Sequence, residues 1–134
     1  MRFPYLPQSA GPLGAILMPM LPIRLANGAT SIDEIGLVDT GSAVNLLPYN
    51  LGLRLGLDWN KAGQALPLGG NVGRHTAKSV FLTGTVGNFA PVSLAFAWSQ
   101  SPDARLLLGQ VNFLAEFDVC FFRSRGVFEL QPHP

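Results

Sequence analysis

One acidic side chain in this sequence occupies a position that suits it for chemistry. Asp39 follows the short apolar run 35–38 and opens the motif Asp39-Thr40-Gly41-Ser42. An apolar run of this kind predicts a buried strand. The carboxylate therefore leaves the strand at the edge of a core, where a glycine without a Cβ lets another backbone come close. Asp-Thr-Gly trios also occur in ordinary turns, because Asp caps nearby amides and Gly accepts positive φ.

The chemistry open to such a carboxylate is general acid–base catalysis. Hydrolysis of an amide needs one ionised group to activate water and one protonated group to donate to the carbonyl oxygen. Two carboxylates in close contact divide these roles, because both cannot ionise cheaply and the pair shares a proton. The chain has one Asp-Thr-Gly, and apolar residues continue after it at 43–48. Asp39 therefore lies between two core segments, which favours an active site over a surface turn.

The composition predicts one domain and excludes several classes of function. The 134 residues are 48% hydrophobic and only 13% charged, and such sparse charge favours surface covered by a second copy of the chain. A net charge of +1 without a basic stripe argues against nucleic acid as a partner. We expect no cofactor and no metal, because His75 and His133 are too few and too isolated to bind one. Cys120, the single cysteine, is predicted to pack in the interior.

The N-terminal region is apolar but is interrupted by prolines. Pro12, Pro19 and Pro22 break the helix that a signal sequence would form, and residues 11–23 are too few to span a bilayer. We therefore predict an extended N-terminal arm at residues 1–14, a single domain at residues 15–134, no membrane partner and a cytoplasmic location.

Strand patterns dominate the rest of the chain. Residues 20–25 and 30–38 flank Asn27-Gly28, which favours a hairpin with a type I′ turn. Further strands are predicted at 64–68, 74–83, 92–98 and 105–109, and a closing hairpin at 118–122 and 127–130. Residues 49–57 fit a short helix or irregular turns, and residues 110–117 fit a short helix with Val111 and Leu114 on one face. The pattern predicts a mostly β fold with one or two short helices.

Three motifs in this order resemble the retropepsin-like aspartic proteases. They are the run from residue 37 to Ser42, the glycine-rich stretch from Gly69 to Gly73, and Leu107-Leu108-Gly109 before a predicted helix. The similarity extends over residues 15–130 and is greatest to the small single-domain bacterial members. It implies a closed acid-protease β-barrel and a homodimeric aspartic endopeptidase that cleaves an extended peptide.

The resemblance also implies roles for the motif residues. Asp39 would be the catalytic carboxylate that each subunit contributes, and Thr40 would bond across the dimer axis. Gly41 would admit the substrate backbone. The hydroxyl of Ser42 would bond the outer oxygen of Asp39, which favours ionisation and an acidic working pH.

The two later motifs would close the site and support it. A flap over the bound peptide would be formed by Gly69, Gly70, Asn71, Val72 and Gly73. Leu107, Leu108 and Gly109 would pack beneath the Asp39 loop. Apolar side chains near the flap, namely Leu66, Leu68 and Val72, predict a preference for hydrophobic residues around the cleaved bond.

The sequence departs from the viral pattern at two positions. Viral members commonly place an acid and an arginine where this chain has Ala43 and Gln110. Both partners of that ion pair are missing together, so no lone charge is left buried. The alternative to an enzyme is a dimerisation or peptide-binding module that kept the fold. Because Asp39 and Gly41 are both present, the enzyme is the favoured interpretation.

Overall fold

The computed structural model describes residues 1–66 and 76–134. Within these ranges the chain is mostly β, with two short α-helices, α1 (Tyr49–Arg54) and α2 (Phe113–Glu116). The strands are β1 (Arg2–Pro4), β2 (Leu6–Ser9), β3 (Ala15–Met18), β4 (Met20–Asn27), β5 (Thr30–Val38), β6 (Asn45–Pro48), β7 (Ala65–Leu66), β8 (Ala77–Thr85), β9 (Val92–Ser99), β10 (Leu107–Leu108), β11 (Phe117–Phe122) and β12 (Val127–Pro132).

Six of these strands close into a barrel. The order is β4-β5-β10-β6-β9-β8, and β8 pairs with β4 again, so the ring has no free edge. Strand β7 adds to the outside of β8. The mostly β fold with a closed barrel and two short helices confirms that part of the prediction. The interior is filled by large side chains, among them Trp98, Phe96 and Phe113, that are at most 2% exposed.

The β4–β5 hairpin forms as predicted, but its turn is placed one residue later. Asn27 pairs with Thr30, so the two-residue loop is Gly28-Ala29 rather than Asn27-Gly28. Gly28 has a φ of 59°, and no other residue type has positive φ in the described ranges. Positive φ at the first loop position alone fits a type II′ turn, so the type I′ prediction is wrong.

The segment after β10 differs from the prediction in detail. Helix α2 is one turn long, and Phe113 is its fully buried residue, whereas Val111 is 56% exposed. The face assigned to Val111 and Leu114 was therefore wrong. Strands β11 and β12 form the predicted closing hairpin. Cys120 lies exposed on β11, which corrects the prediction of interior packing.

The N-terminal residues form two small sheets outside the barrel. Strand β1 pairs with β12, which makes a three-stranded sheet β1-β12-β11. Strands β2 and β3 pair with each other across a 3-10 turn at Gly11–Leu13. None of the helices in the described residues has the length and hydrophobicity required to cross a bilayer.

Candidate active site

Asp39 lies at the end of β5, where β10 runs parallel beside it. Leu107 pairs with Leu37 and Leu108 with Val38. The backbone N–H of Asp39 donates to the carbonyl of Leu108 at 3.0 Å. The apolar run before Asp39 and the run Leu107-Leu108 before Gly109 are therefore adjacent strands. Strand β10 positions Asp39 through this hydrogen bond.

The Asp39 loop is tightly turned and open to solvent. The N–H of Gly41 donates to Oδ1 of Asp39 at 2.9 Å, and the N–H of Ser42 donates to the Asp39 carbonyl at 3.2 Å. Asp39 is half-buried, while Thr40 and Gly41 are exposed. The loop therefore orients the carboxylate by its own backbone and leaves it accessible from outside the barrel.

The hydroxyl of Ser42 has a different partner from the one predicted. Its Oγ donates to the carbonyl of Val44 at 2.7 Å. Because a serine hydroxyl has a single hydrogen, it does not donate to Asp39 in this arrangement. Ser42 thus stabilises the backbone after the motif, and the expectation that it lowers the working pH loses its basis.

The segment after β10 forms the other wall of the loop. The N–H of Gln110 donates to the Ser42 carbonyl at 2.9 Å, and the N–H of Val111 donates to the Ala43 carbonyl at 3.0 Å. The side chain of Gln110 donates from Nε2 to the Thr40 carbonyl at 2.8 Å. Gln110 therefore braces the motif with a neutral hydrogen bond.

Gly109 is required where these two walls meet. A Cβ on this residue would lie 2.6 Å from the Ser42 carbonyl oxygen and even closer to that of Val44. Both are backbone oxygens that accept hydrogen bonds, from the N–H of Gln110 and the hydroxyl of Ser42, so neither moves aside as a flexible side chain would. The close approach explains why a glycine follows the paired leucines Leu107 and Leu108.

The side chains of two asparagines hold this end of the barrel together by hydrogen bonds. Asn45 is fully buried at the start of β6, and its Oδ1 accepts from the N–H of Gly109 at 2.8 Å. Its Nδ2 donates to the Ala95 carbonyl at 2.9 Å and lies 3.3 Å from Oδ1 of Asn112. Asn112 accepts from the N–H of Ala95 at 3.0 Å and donates to the Ser93 carbonyl at 2.9 Å. The pair joins β6, β9 and the Gly109 turn.

Sequence reasoning did not identify these asparagines as part of the site. A signal was present, because Asn45 is the one polar residue in the run 43–48. A buried amide needs hydrogen-bond partners, so a lone Asn in an apolar strand indicates an internal network. The identity of its partners depends on β9 and on Asn112, which lie 50 and 67 residues away.

The predicted flap lies outside the described residues. This applies to Gly69, Gly70, Asn71, Val72 and Gly73, and also to Leu68 and His75. The strands that lead to it are described, and Leu66 of β7 pairs with Ala77 of β8. Leu66 and Leu107 are partly buried against a small apolar cluster of Leu46, Ala77 and Ala97.

The described residues contain no group of three or more His, Cys, Asp or Glu side chains that could hold a metal ion. The site therefore consists of one carboxylate, a hydrogen-bonded loop and a neutral brace. Comparison with protein-family models, with curated proteins and with solved structures finds no match to this chain.

Proposed function

We propose that this protein is an aspartic endopeptidase that works as a homodimer, similar to the retropepsin-like proteases. The observation that carries the proposal is the Asp39 loop, in which an accessible carboxylate is oriented by Gly41 and braced by Gln110. The loop is also supported from behind, where Oδ1 of Asn45 accepts from the N–H of Gly109 and Gly109 lies against the carbonyls of Ser42 and Val44. One chain supplies one such carboxylate.

In the proposed dimer two copies of Asp39 meet and share a proton. The ionised carboxylate takes a proton from water, whose oxygen attacks the peptide carbonyl carbon. The protonated carboxylate donates to the carbonyl oxygen, which gives a tetrahedral diol. The carbon–nitrogen bond then breaks as the amine nitrogen receives a proton from one carboxyl group, while the other carboxylate takes a proton from a diol hydroxyl and the carbonyl forms again. The products are a carboxylic acid and an amine, and the pair regains one shared proton.

The rigidity of the loop matters for this chemistry. Two like-charged groups share a proton only when their oxygens are held at hydrogen-bond distance, and an error of 1 Å in position costs about 10²-fold in rate. The hydrogen bond from the N–H of Asp39 to the Leu108 carbonyl, and the one from the Gln110 side chain to the Thr40 carbonyl, support that precision within each chain. We further propose an extended peptide as substrate, with hydrophobic side chains near the cleaved bond, because Leu66, which precedes the glycine-rich stretch, is apolar and only partly buried.

The first test is peptide cleavage by the purified protein at pH 4 to 7, read by mass spectrometry on a diverse peptide pool. We expect Asp39→Asn to reduce kcat/KM by at least about 10³-fold, since the pair loses its shared proton. Asp103→Asn is the matched control, because it makes the same chemical change at an exposed acid away from the loop. Equal activity in wild type and Asp39→Asn would contradict the proposal.

The same samples distinguish the enzyme from the non-catalytic module. Sedimentation of each sample at the assay concentration gives the fraction of dimer. Cleavage that rises with the dimer fraction supports a site shared between two chains. A stable dimer that cleaves no peptide at any pH in this range would instead indicate a binding module.

A further inference from the structure

The β2–β3 hairpin is poorly covered by the rest of the described structure. The backbones of its two strands pair with each other, and neither strand joins the barrel or the terminal sheet. None of their eight residues is buried. A single two-stranded hairpin is marginally stable in water, so a hairpin of this kind gains order by packing against something else.

The hairpin leaves the barrel beside Asp39. Strand β3 ends at Met18, and the carbonyl of the next residue, Pro19, accepts from the N–H of Val38 at 3.0 Å. Val38 is the residue directly before Asp39. On the other strand, Gln8 accepts from the Arg105 guanidinium at 3.4 Å. The hairpin is therefore attached at the end of the barrel that carries the candidate site.

The more exposed face of the hairpin is mostly apolar and carries no charge. The alternation of β2 and β3 places Pro7, Ser9, Ala15 and Leu17 on one face, and all four are exposed. Leu13, in the 3-10 turn at the tip, is 88% exposed. No charged residue occurs from residue 3 to residue 23. Contiguous exposed apolar surface of this kind is typical of an interface.

The exposed residues next to Asp39 are uncharged, as the hairpin face is. The exposed loop residues Thr40, Gly41 and Ala43 carry no charge, and Val111, which donates its N–H to the Ala43 carbonyl, is 56% exposed. An anionic membrane surface or a nucleic acid would select basic residues, which this hairpin lacks. A second uncharged surface is the partner that its chemistry fits, and the Asp39 end of another copy offers one.

We propose that the hairpin face of Pro7, Ser9, Leu13, Ala15 and Leu17 packs against a second copy of this chain, at the contact that brings two Asp39 carboxylates together. The inference rests on the proposed function, because half a site at this edge requires the second copy there. The hairpin thereby supplies apolar contact area to a dimer that lacks the ion pair of the viral enzymes.

The test compares the double variant Leu13→Gln/Leu17→Gln with Leu53→Gln. Leu53 is a matched control, since it is 44% exposed and Leu17 is 42% exposed. Dimer dissociation constants are measured by sedimentation in an Asp39→Asn background, so that they do not depend on cleavage. We expect the double variant to raise the constant at least about tenfold and the control to leave it within about twofold. Unchanged melting temperatures at low concentration show that the monomer fold is intact.

A second measurement reports contact directly. A photo-reactive residue in place of Leu13 is activated in a mixture of isotopically heavy and light chains. Heavy–light cross-links support the proposal. The proposal is overturned if the dissociation constant is unchanged and cross-links form only inside one chain. It is also overturned if the wild-type protein stays monomeric at all concentrations. A hairpin-dependent dimer that cleaves no peptide supports the interface and contradicts the peptidase, so the two failures are distinguishable.

Discussion

The Asp39 loop and the β2–β3 hairpin leave the barrel side by side, yet they are stabilised in opposite ways. The loop is short and exposed at its tip, but its backbone is bonded to Leu108, Gln110 and the segment behind them. The hairpin is larger and is regular β structure, but none of its strand residues is buried. Regular hydrogen bonding and burial are therefore separate properties in this region.

This comparison shows which interactions hold each of the two regions in place. Asn45 links the loop region to the core, because Oδ1 of its buried amide accepts a hydrogen bond from the N–H of Gly109. A buried polar pair can be satisfied in only one arrangement, so it specifies the loop geometry. Among the described residues, the hairpin is attached to the barrel by hydrogen bonds at Pro19 and Gln8 and has no buried polar anchor like Asn45. Local stability is expected to differ accordingly, with early hydrogen exchange in the hairpin and late exchange around Asn45.

The largest effect is expected from removing the anchor. Asn45→Ala removes the hydrogen bonds that this side chain forms with the N–H of Gly109 and with the Ala95 carbonyl, and one of the two that Oδ1 of Asn112 accepts. We expect it to lower the free energy of unfolding by about 3 kcal/mol. Urea denaturation at one fixed protein concentration measures this change.

Asn60→Ala is the matched control for that experiment. Asn60 is exposed, and its side chain forms none of the hydrogen bonds described for Asn45. Its expected change is below about 0.5 kcal/mol. If the two variants lost equal stability, the loop would not depend on its buried anchor, and the contrast with the hairpin would be lost.

A smaller effect on stability and a larger one on catalysis are expected for Gln110→Ala. The variant removes the bond from Nε2 to the Thr40 carbonyl at an exposed site, which is worth about 1 kcal/mol or less. Because Thr40 adjoins Asp39, we expect kcat to fall about tenfold while the fold persists. Peptide cleavage at saturating substrate, together with thermal unfolding, measures both quantities.

Gln131→Ala, at an exposed position on β12, provides the comparison for Gln110→Ala. Normal kcat in Gln110→Ala would show that the loop is held by its backbone bonds alone. A loss of kcat accompanied by an equal loss in Gln131→Ala would assign the effect to general destabilisation.

The smallest effect is expected on the barrel surface, where an ion pair lies outside both regions. The guanidinium of Arg24 donates to Asp33 at 2.7 Å and lowers the pKa of that carboxyl, while the Asp33 carboxylate raises the pKa of Arg24. A carboxyl whose pKa is lowered on folding stabilises the protein above its unfolded pKa of about 3.9 and loses that contribution as the pH falls further.

Asp33→Asn is therefore expected to lower the melting temperature slightly at pH 7 and to match wild type near pH 2. Both residues are exposed, so added salt is expected to reduce the difference at pH 7. Thermal unfolding at the two pH values and two salt concentrations measures the effect. A difference that grows toward low pH would contradict this sign.

The elements that the sequence determines here are those with a local cause. The β4–β5 hairpin follows from alternating apolar residues around a glycine turn, and the β11–β12 hairpin follows from two apolar runs around Gly126. Asp39 was identifiable because a strand, an acid and a glycine are contiguous. The predicted turn at Asn27-Gly28 nevertheless lies one residue too early. Asn-Gly and Gly-Ala loops differ only in which residues take positive φ, and the sequence does not decide between them.

Tertiary structure decided the features that depend on distant residues. The burial of Phe113 in place of Val111, and the exposure of Cys120, follow from which face of each element meets the barrel. The hydroxyl of Ser42 bonds Val44 because the loop folds back on β6. Asn45 finds Gly109 and Ala95 only when β6 lies between β9 and β10. The sequence by itself thus determined the carboxylate and the strand beneath it, while long-range pairing decided what holds that carboxylate in place, because hydrogen-bond partners far apart in the chain leave no local pattern.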